Sequence, residues 1–156
     1  MRKLLGIGFI ALIAGAAHAD SVPNQFDLAS KYADPSRVVA AVNTEFAVKP
    51  GQYVRLSVYD SEEAFLHSAR VKHQAEIGED GVAVLNLYGL EPGEYSFAAY
   101  LDENGDGVLN RGKVLGRPKE PVAFSNGFVP KLRKPRYDET KVPVAPGTVV
   151  VITLKD

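Results

Sequence analysis

The chain reads as an all-β protein, a single antiparallel β-sandwich of about seven short strands. Three observations predict this. Short runs of β-forming residues alternate apolar with polar positions, the period of a half-buried strand. Turn signals separate the runs, at Pro50-Gly51, Glu79-Asp80-Gly81, Pro92-Gly93 and Pro146-Gly147. No helix of ordinary length is evident, and the strand–helix alternation of a parallel α/β fold is absent.

Residues 1–19 have the three parts of a signal peptide. Arg2 and Lys3 give a positive start, Leu4 to Ala16 is an uncharged apolar run, and Ala17-His18-Ala19 supplies small residues for cleavage. The run is shorter than the ~20 residues a spanning helix needs. Cleavage after Ala19 leaves Asp20 as the first mature residue. Residues 20–36, with Pro23 and Pro35, are expected to form an irregular lead-in with a helical turn near Asp27 to Tyr32.

The sandwich domain is expected over 37–156. A first strand runs through Val38, Val39, Ala41 and Val42 toward Phe46 and Val48. A second spans Tyr53 to Tyr59, with Val54, Leu56 and Val58 on one face. Ser61 can cap a helical turn that tucks Phe65 and Leu66 against the core. Strands follow over Ala69 to Ile77, Val82 to Tyr88 and Tyr95 to Leu101. Glycine, asparagine and proline make residues 102–135 a long loop region with at most short strands. Lys141 to Ala145 is a short edge strand broken by Pro143, and Thr148 to Leu154 is the last strand.

The chain carries no cysteine. That excludes disulfides, thiolate metal sites and a lipid-anchored cysteine. Export without disulfides suits a bacterial periplasm or the extracellular space. No second long apolar segment occurs, so the mature chain is expected to have no transmembrane segment. The net charge is −1, unevenly spread: Asp60 to Asp106 holds eleven acids and two bases, whereas Arg111 to Arg136 holds eight bases and one acid, Glu120.

From Tyr95 the chain reads YSFAAYLDENGDGVLNRGKVLGRPKEPVAFSNG. With Pro92-Gly93-Glu94-Tyr95, the Asp102 to Gly107 loop, Gly116-Arg117-Pro118-Lys119-Glu120, Phe124-Ser125-Asn126 and the earlier Ser61-Glu62-Glu63-Ala64-Phe65, it resembles the domain-of-unknown-function 2141 family of small exported bacterial proteins. The resemblance covers most of residues 37–154. It implies a transthyretin-like or carboxypeptidase-regulatory-like sandwich and brings no established activity. Asn110 stands where family members often carry aspartate, which weakens a metal site. Pro121-Val122-Ala123 replaces a frequent Gly-Tyr-Gly.

One loop carries metal chemistry in its pattern. Asp102, Asn104 and Asp106 place oxygen side chains at alternate positions, Val108 offers a carbonyl and Asn110 falls at position nine of a calcium loop. Position twelve, which wants a bidentate glutamate, is Lys113, and no helix flanks the loop, so this is not an EF-hand. Ca²⁺ is the one cofactor the sequence suggests, with Glu103, Glu120 or a distant carboxylate closing the site and an affinity on the order of 10⁻⁴–10⁻³ M. The competing reading is a polar turn, since Asn-Gly and Asp-Gly tolerate positive φ.

Catalytic signals are missing from the sequence. His67 and His73 are the mature histidines, with no His-Glu-x-x-His, Gly-x-Ser-x-Gly or Ser-x-x-Lys motif. Ser125 lacks a local base. Arg111, Lys113, Arg117, Lys119, Lys131, Arg133, Lys134 and Arg136 sit in loops among Phe124, Phe128 and Tyr137, a combination that suits an anionic glycan or another envelope component. Export argues against nucleic acid. The sequence therefore points to an exported, non-catalytic binding or structural module. Its alternatives are an envelope enzyme with a hydrolase-like site in the 102–135 loops and an anion- or glycan-binding surface.

Overall fold

The structure, a computed structural model, describes residues 23–49, 51–113 and 115–156. The expected signal peptide at 1–19 lies outside the described residues. Two sheets pack face to face. The smaller has the order β4–β1–β8, from β1 (Val38–Thr44), β4 (Val82–Leu87) and β8 (Val149–Leu154). The larger has the order β3–β2–β5–β6, from β2 (Tyr53–Tyr59), β3 (Val71–Glu76), β5 (Gly93–Asp102) and β6 (Val122–Phe124). Strand β7 (Lys141–Val144) pairs with β5 beside its Gly93–Ser96 stretch, and β6 pairs with β5 further along, at Ala98–Tyr100.

Alternation places the core. Val54, Leu56 and Val58 of β2 and Phe97, Ala99 and Leu101 of β5 point inward. They meet Val38, Ala40 and Val42 of β1, Ala83, Leu85 and Leu87 of β4, and Val150, Ile152 and Leu154 of β8. These side chains are almost wholly out of water. Removing a leucine from such a core costs about 2–5 kcal/mol.

The all-antiparallel expectation is corrected at one place. Strands β1 and β8 run parallel, in register from Val39 opposite Val149 to Thr44 opposite Leu154. A parallel pair needs a long connection, and here the rest of the domain supplies it. Strand β1 is buried on both faces, which explains its unbroken apolar run. It also stops at Thr44; Phe46 and Val48 pack against the core from the connection that follows.

The lead-in is more regular than expected. Helix α1 (Gln25–Tyr32) is capped by Asn24, whose Oδ1 accepts from the N–H groups of Phe26 at 2.9 Å and Asp27 at 3.0 Å. Its Leu28 packs with Ala41 and Val82 on the outer face of the smaller sheet. Lys31 and the Tyr32 hydroxyl both reach Asp80, at 2.9 Å each.

The Ser61 turn departs from expectation in what it packs against. Phe65 is buried, but in a second cluster on the outer face of the larger sheet, edge-to-face with Tyr59 at 5.4 Å and Tyr137 at 5.8 Å. Among the described residues no helix is long and apolar enough to cross a membrane.

Candidate functional site

The outer face of the larger sheet carries both features that the sequence singles out, the Asp102 loop and the basic loops. It is the face on which sandwich strands ordinarily show polar residues to water.

Strand β5 ends on Asp102, whose side chain is wholly enclosed. Its Oδ1 accepts from Gly105 N–H at 2.9 Å, and its Oδ2 from Gly107 N–H at 2.9 Å and Arg55 Nε at 2.6 Å. Asp106 Oδ1 accepts from Val108 N–H at 2.8 Å, and Oδ2 from the amides of Asn104 at 3.0 Å and Asn110 at 2.9 Å. The Val108 carbonyl accepts from Asn110 at 2.8 Å. Glu120, also buried, accepts from Glu103 N–H at 3.1 Å and Asn110 N–H at 2.9 Å, one on each oxygen.

The five residues expected to ligate a cation are therefore brought into one loop, but their oxygen atoms face N–H donors. The positive charge beside them is Arg55, from the neighbouring strand, whose guanidinium also donates to Gln74. Gly107 adopts φ +79°, and a Cβ there would stand 3.4 Å from the Arg55 guanidinium, so this glycine admits both the turn and the arginine. The Asn110 amide, the Val108 N–H, Asn104 and the Arg55 charge hold the Asp106 carboxyl below its ordinary range. Among the described residues no group of three or more His, Cys, Asp or Glu side chains is arranged to hold a metal. Arg55 escaped the sequence reading because its partner lies 47 residues away.

Beside this loop lies a cleft of about 490 Å³, a size ordinary for a small-molecule site. Its floor is sheet. Ser57 and Ala98 face each other across β2 and β5, and Phe124 of β6 completes the row. Tyr59 bounds the row on one side, with Tyr100 and Val122 on the other. Two small side chains between larger ones make the floor concave. Burial pushes the Tyr59 and Tyr100 hydroxyls up from their ordinary values, so both phenols are neutral at neutral pH and the floor bears no charge.

The charge is in the walls. One wall is the hairpin-like segment carrying Leu109, Arg111, Leu115, Arg117 and Pro118, closed by the bridge between Arg111 and Pro118. The other runs from Pro130 to Pro135 through Lys131, Leu132, Arg133 and Lys134. Five of the eight basic residues singled out in the sequence thus line one cleft; Lys113, Lys119 and Arg136 do not. Arg133 is committed elsewhere. It grips Glu139 with two bonds, at 2.8 and 2.6 Å, and lies over the Phe128 ring. That grip, with the Arg136 N–H, lowers the Glu139 carboxyl to about 2. Arg111, Arg117, Lys131 and Lys134 form no ion pair among the described residues, and no acid lines the cleft.

Two leucines at the cleft hold left-handed backbone, Leu66 at φ 62° and Leu115 at φ 61°. For an L-residue this costs roughly 1–2 kcal/mol, and such strain gathers at working sites. Leu115 is 81 % exposed and Leu132, on the opposite wall, 89 %.

The other candidates are placed as follows. Ser125 is buried, its Oγ accepting from Phe97 N–H at 2.9 Å and donating to the Thr140 carbonyl. It is a joint between β5 and the segment before β7. His67 and His73 are both exposed, and neither lines the cleft. A second, wider groove of about 1040 Å³ runs past Glu45, Lys49, Glu76 and Glu79, without a matching basic wall. The sequence showed the bases but not the floor, whose only signal was small residues between aromatics on the outward positions of β2 and β5.

Over residues 41–152 the chain matches the family described as "Uncharacterized protein conserved in bacteria (DUF2141)", and it belongs to that family. Comparison with the curated proteins gives no match. Comparison with solved structures gives none either.

Proposed function

We propose that this member of the family is an exported, non-catalytic binding module that takes a small anionic ligand in the cleft on the outer face of its larger sheet. One observation carries the reading: an uncharged floor lies between walls holding Arg111, Arg117, Lys131 and Lys134, none of them engaged by a carboxylate among the described residues. Cations of one sign around a concave, partly dry site focus the field on an anion. The lining residues include no imidazole and no carboxylate, the side chains most often used as general bases near neutral pH, and this favours binding over turnover. In this reading the Asp102–Asn110 loop is scaffold. Arg55 supplies its positive charge, and a calcium ion would have to displace the bonds that Asp102, Asp106 and Glu120 already accept.

Fluorescence titration with an anionic naphthalene sulfonate, beside its uncharged phenylnaphthylamine counterpart, tests the proposal. The sulfonate is expected to bind more tightly and to weaken as salt rises, because exposed charge pairs are screened over ~10 Å at 0.1 M. A Arg117→Glu/Lys134→Glu variant is expected to lose at least tenfold in sulfonate affinity. Equal binding by variant and wild type would overturn the assignment. Export is tested by intact mass of the protein recovered outside the cytoplasm, which is expected to begin at Asp20; a retained Met1 would refute it.

A further inference from the structure

We infer that the ligand of this cleft is a single-chain amphiphile, an acid head group on an extended aliphatic body; this rests on the anion-binding reading above and names the class of ligand. The argument starts from the floor. On one face of a strand successive side chains stand about 6.7 Å apart, so the rows on either side of Ser57 and Ala98 are about 13 Å apart. Across β2 and β5 the row between them is filled only by a hydroxymethyl and a methyl group, with Lys72 of β3 beyond Ser57 and Phe124 of β6 beyond Ala98. What is left is a trough one side chain wide, crossing the strands from Ser57 over Ala98 and stopped by Phe124. That shape takes one chain lying down.

The walls support the same ligand. Above the floor they are aliphatic: Leu109 and Leu115 on one side, Pro130, Leu132 and Pro135 on the other. An inorganic anion or a sugar acid would leave these groups in water. Leu115 and Leu132 stand on opposite walls with most of their surface exposed, and a chain between them would cover both. The cations belong to the wall loops and none to the floor. A ligand charged at one end and apolar along its length satisfies both parts. Proline at positions 118, 130 and 135 stiffens the walls, which lowers the ordering cost of binding.

Calorimetric titration of the purified protein with hexanoate, octanoate, decanoate and dodecanoate tests the inference, with acetate and inorganic phosphate as head-group probes and dodecanol as a chain probe. Each methylene buried is worth about 0.8 kcal/mol, or roughly fourfold in affinity. Affinity is therefore expected to rise about fifteenfold per two methylenes, and then to level off when the trough is full. Dodecanol is expected to bind more weakly than dodecanoate. Ala98→Leu, which fills the floor, is expected to abolish the chain-length gain; Arg117→Glu/Lys134→Glu is expected to weaken every acid while leaving the chain-length slope intact. A flat series, with acetate or phosphate binding as well as dodecanoate, would overturn the amphiphile and leave the anion site standing. No binding by any acid or by the naphthalene sulfonate would remove both readings. Binding to phosphatidylglycerol vesicles without binding of the monomeric acids would also overturn the inference, since it would assign the exposed leucines and the bases to a bilayer surface.

Discussion

Replacing Arg55 by leucine isolates the charge that holds the Asp102 loop. The Asp102 side chain is wholly enclosed, whereas Arg55 is 28 % exposed. Removing one partner of a buried pair costs about 3–5 kcal/mol, because a charge is left uncompensated. Here the N–H groups of Gly105 and Gly107 stay with Asp102, and the arginine is partly in water. The expected loss therefore falls below that range, at about 2–3 kcal/mol. For a domain of this size that is roughly 6–12 °C in Tm. Urea denaturation and calorimetry, each run in EDTA and in millimolar calcium, read the result. A calcium site of Kd about 10⁻⁴ M would gain about 2.7 kcal/mol when the ion is at 100 times Kd. The wild type is expected to show no such rise. A loss below about 1 kcal/mol in Arg55→Leu, or a calcium-dependent rise of several degrees in the wild type that vanishes in Asp102→Ala/Asp106→Ala, would refute the argument that the guanidinium serves as the loop's cation.

Two further predictions concern the frame of the cleft. The Glu139 carboxyl is lowered from 4.5 to about 2 by Arg133 and the Arg136 N–H; a depressed folded value means its contribution is present above pH 4.5 and is lost as pH falls toward 2. The urea midpoint of Glu139→Gln is therefore expected to fall less steeply than the wild type's across that window, and parallel curves would contradict the assignment. Ser125→Ala leaves the Phe97 N–H and the Thr140 carbonyl without their buried partner, which is expected to cost about 2–3 kcal/mol in urea denaturation; an unchanged midpoint would show that the hydroxyl is not the joint between β5 and the segment before β7.

Strand β2 was legible because Val54, Leu56 and Val58 alternate with more polar positions, and β8 because its apolar stretch is continuous between turn signals. The parallel pairing of β1 with β8 was not, because a run such as Val38 to Val42 shows burial on both faces but not the direction of its neighbours. Strand β6 is three residues long, too short for periodicity to register. The bases of 111–136 were legible as a run, and their convergence was not. It depends on two loops folding over the same sheet face and on Glu139 withdrawing Arg133 from the group. The residue types of the Asp102 loop were legible as a polar turn or a calcium loop. The reach of Arg55 from β2 to Asp102 Oδ2 was not, because no local pattern links two residues so far apart in the chain. The aromatic cluster of Tyr59, Phe65, Phe124 and Tyr137 was likewise hidden, since its members come from four separate segments.

Backbone amide resonances followed during titration with octanoate test the central claim most directly. The account predicts concentration-dependent shifts that cluster on Ser57, Ala98, Tyr100, Arg117 and Lys134, and that disappear in Arg117→Glu/Lys134→Glu. Shifts clustered instead along the groove of Glu45, Lys49 and Glu79, or spread evenly over the surface, would contradict it.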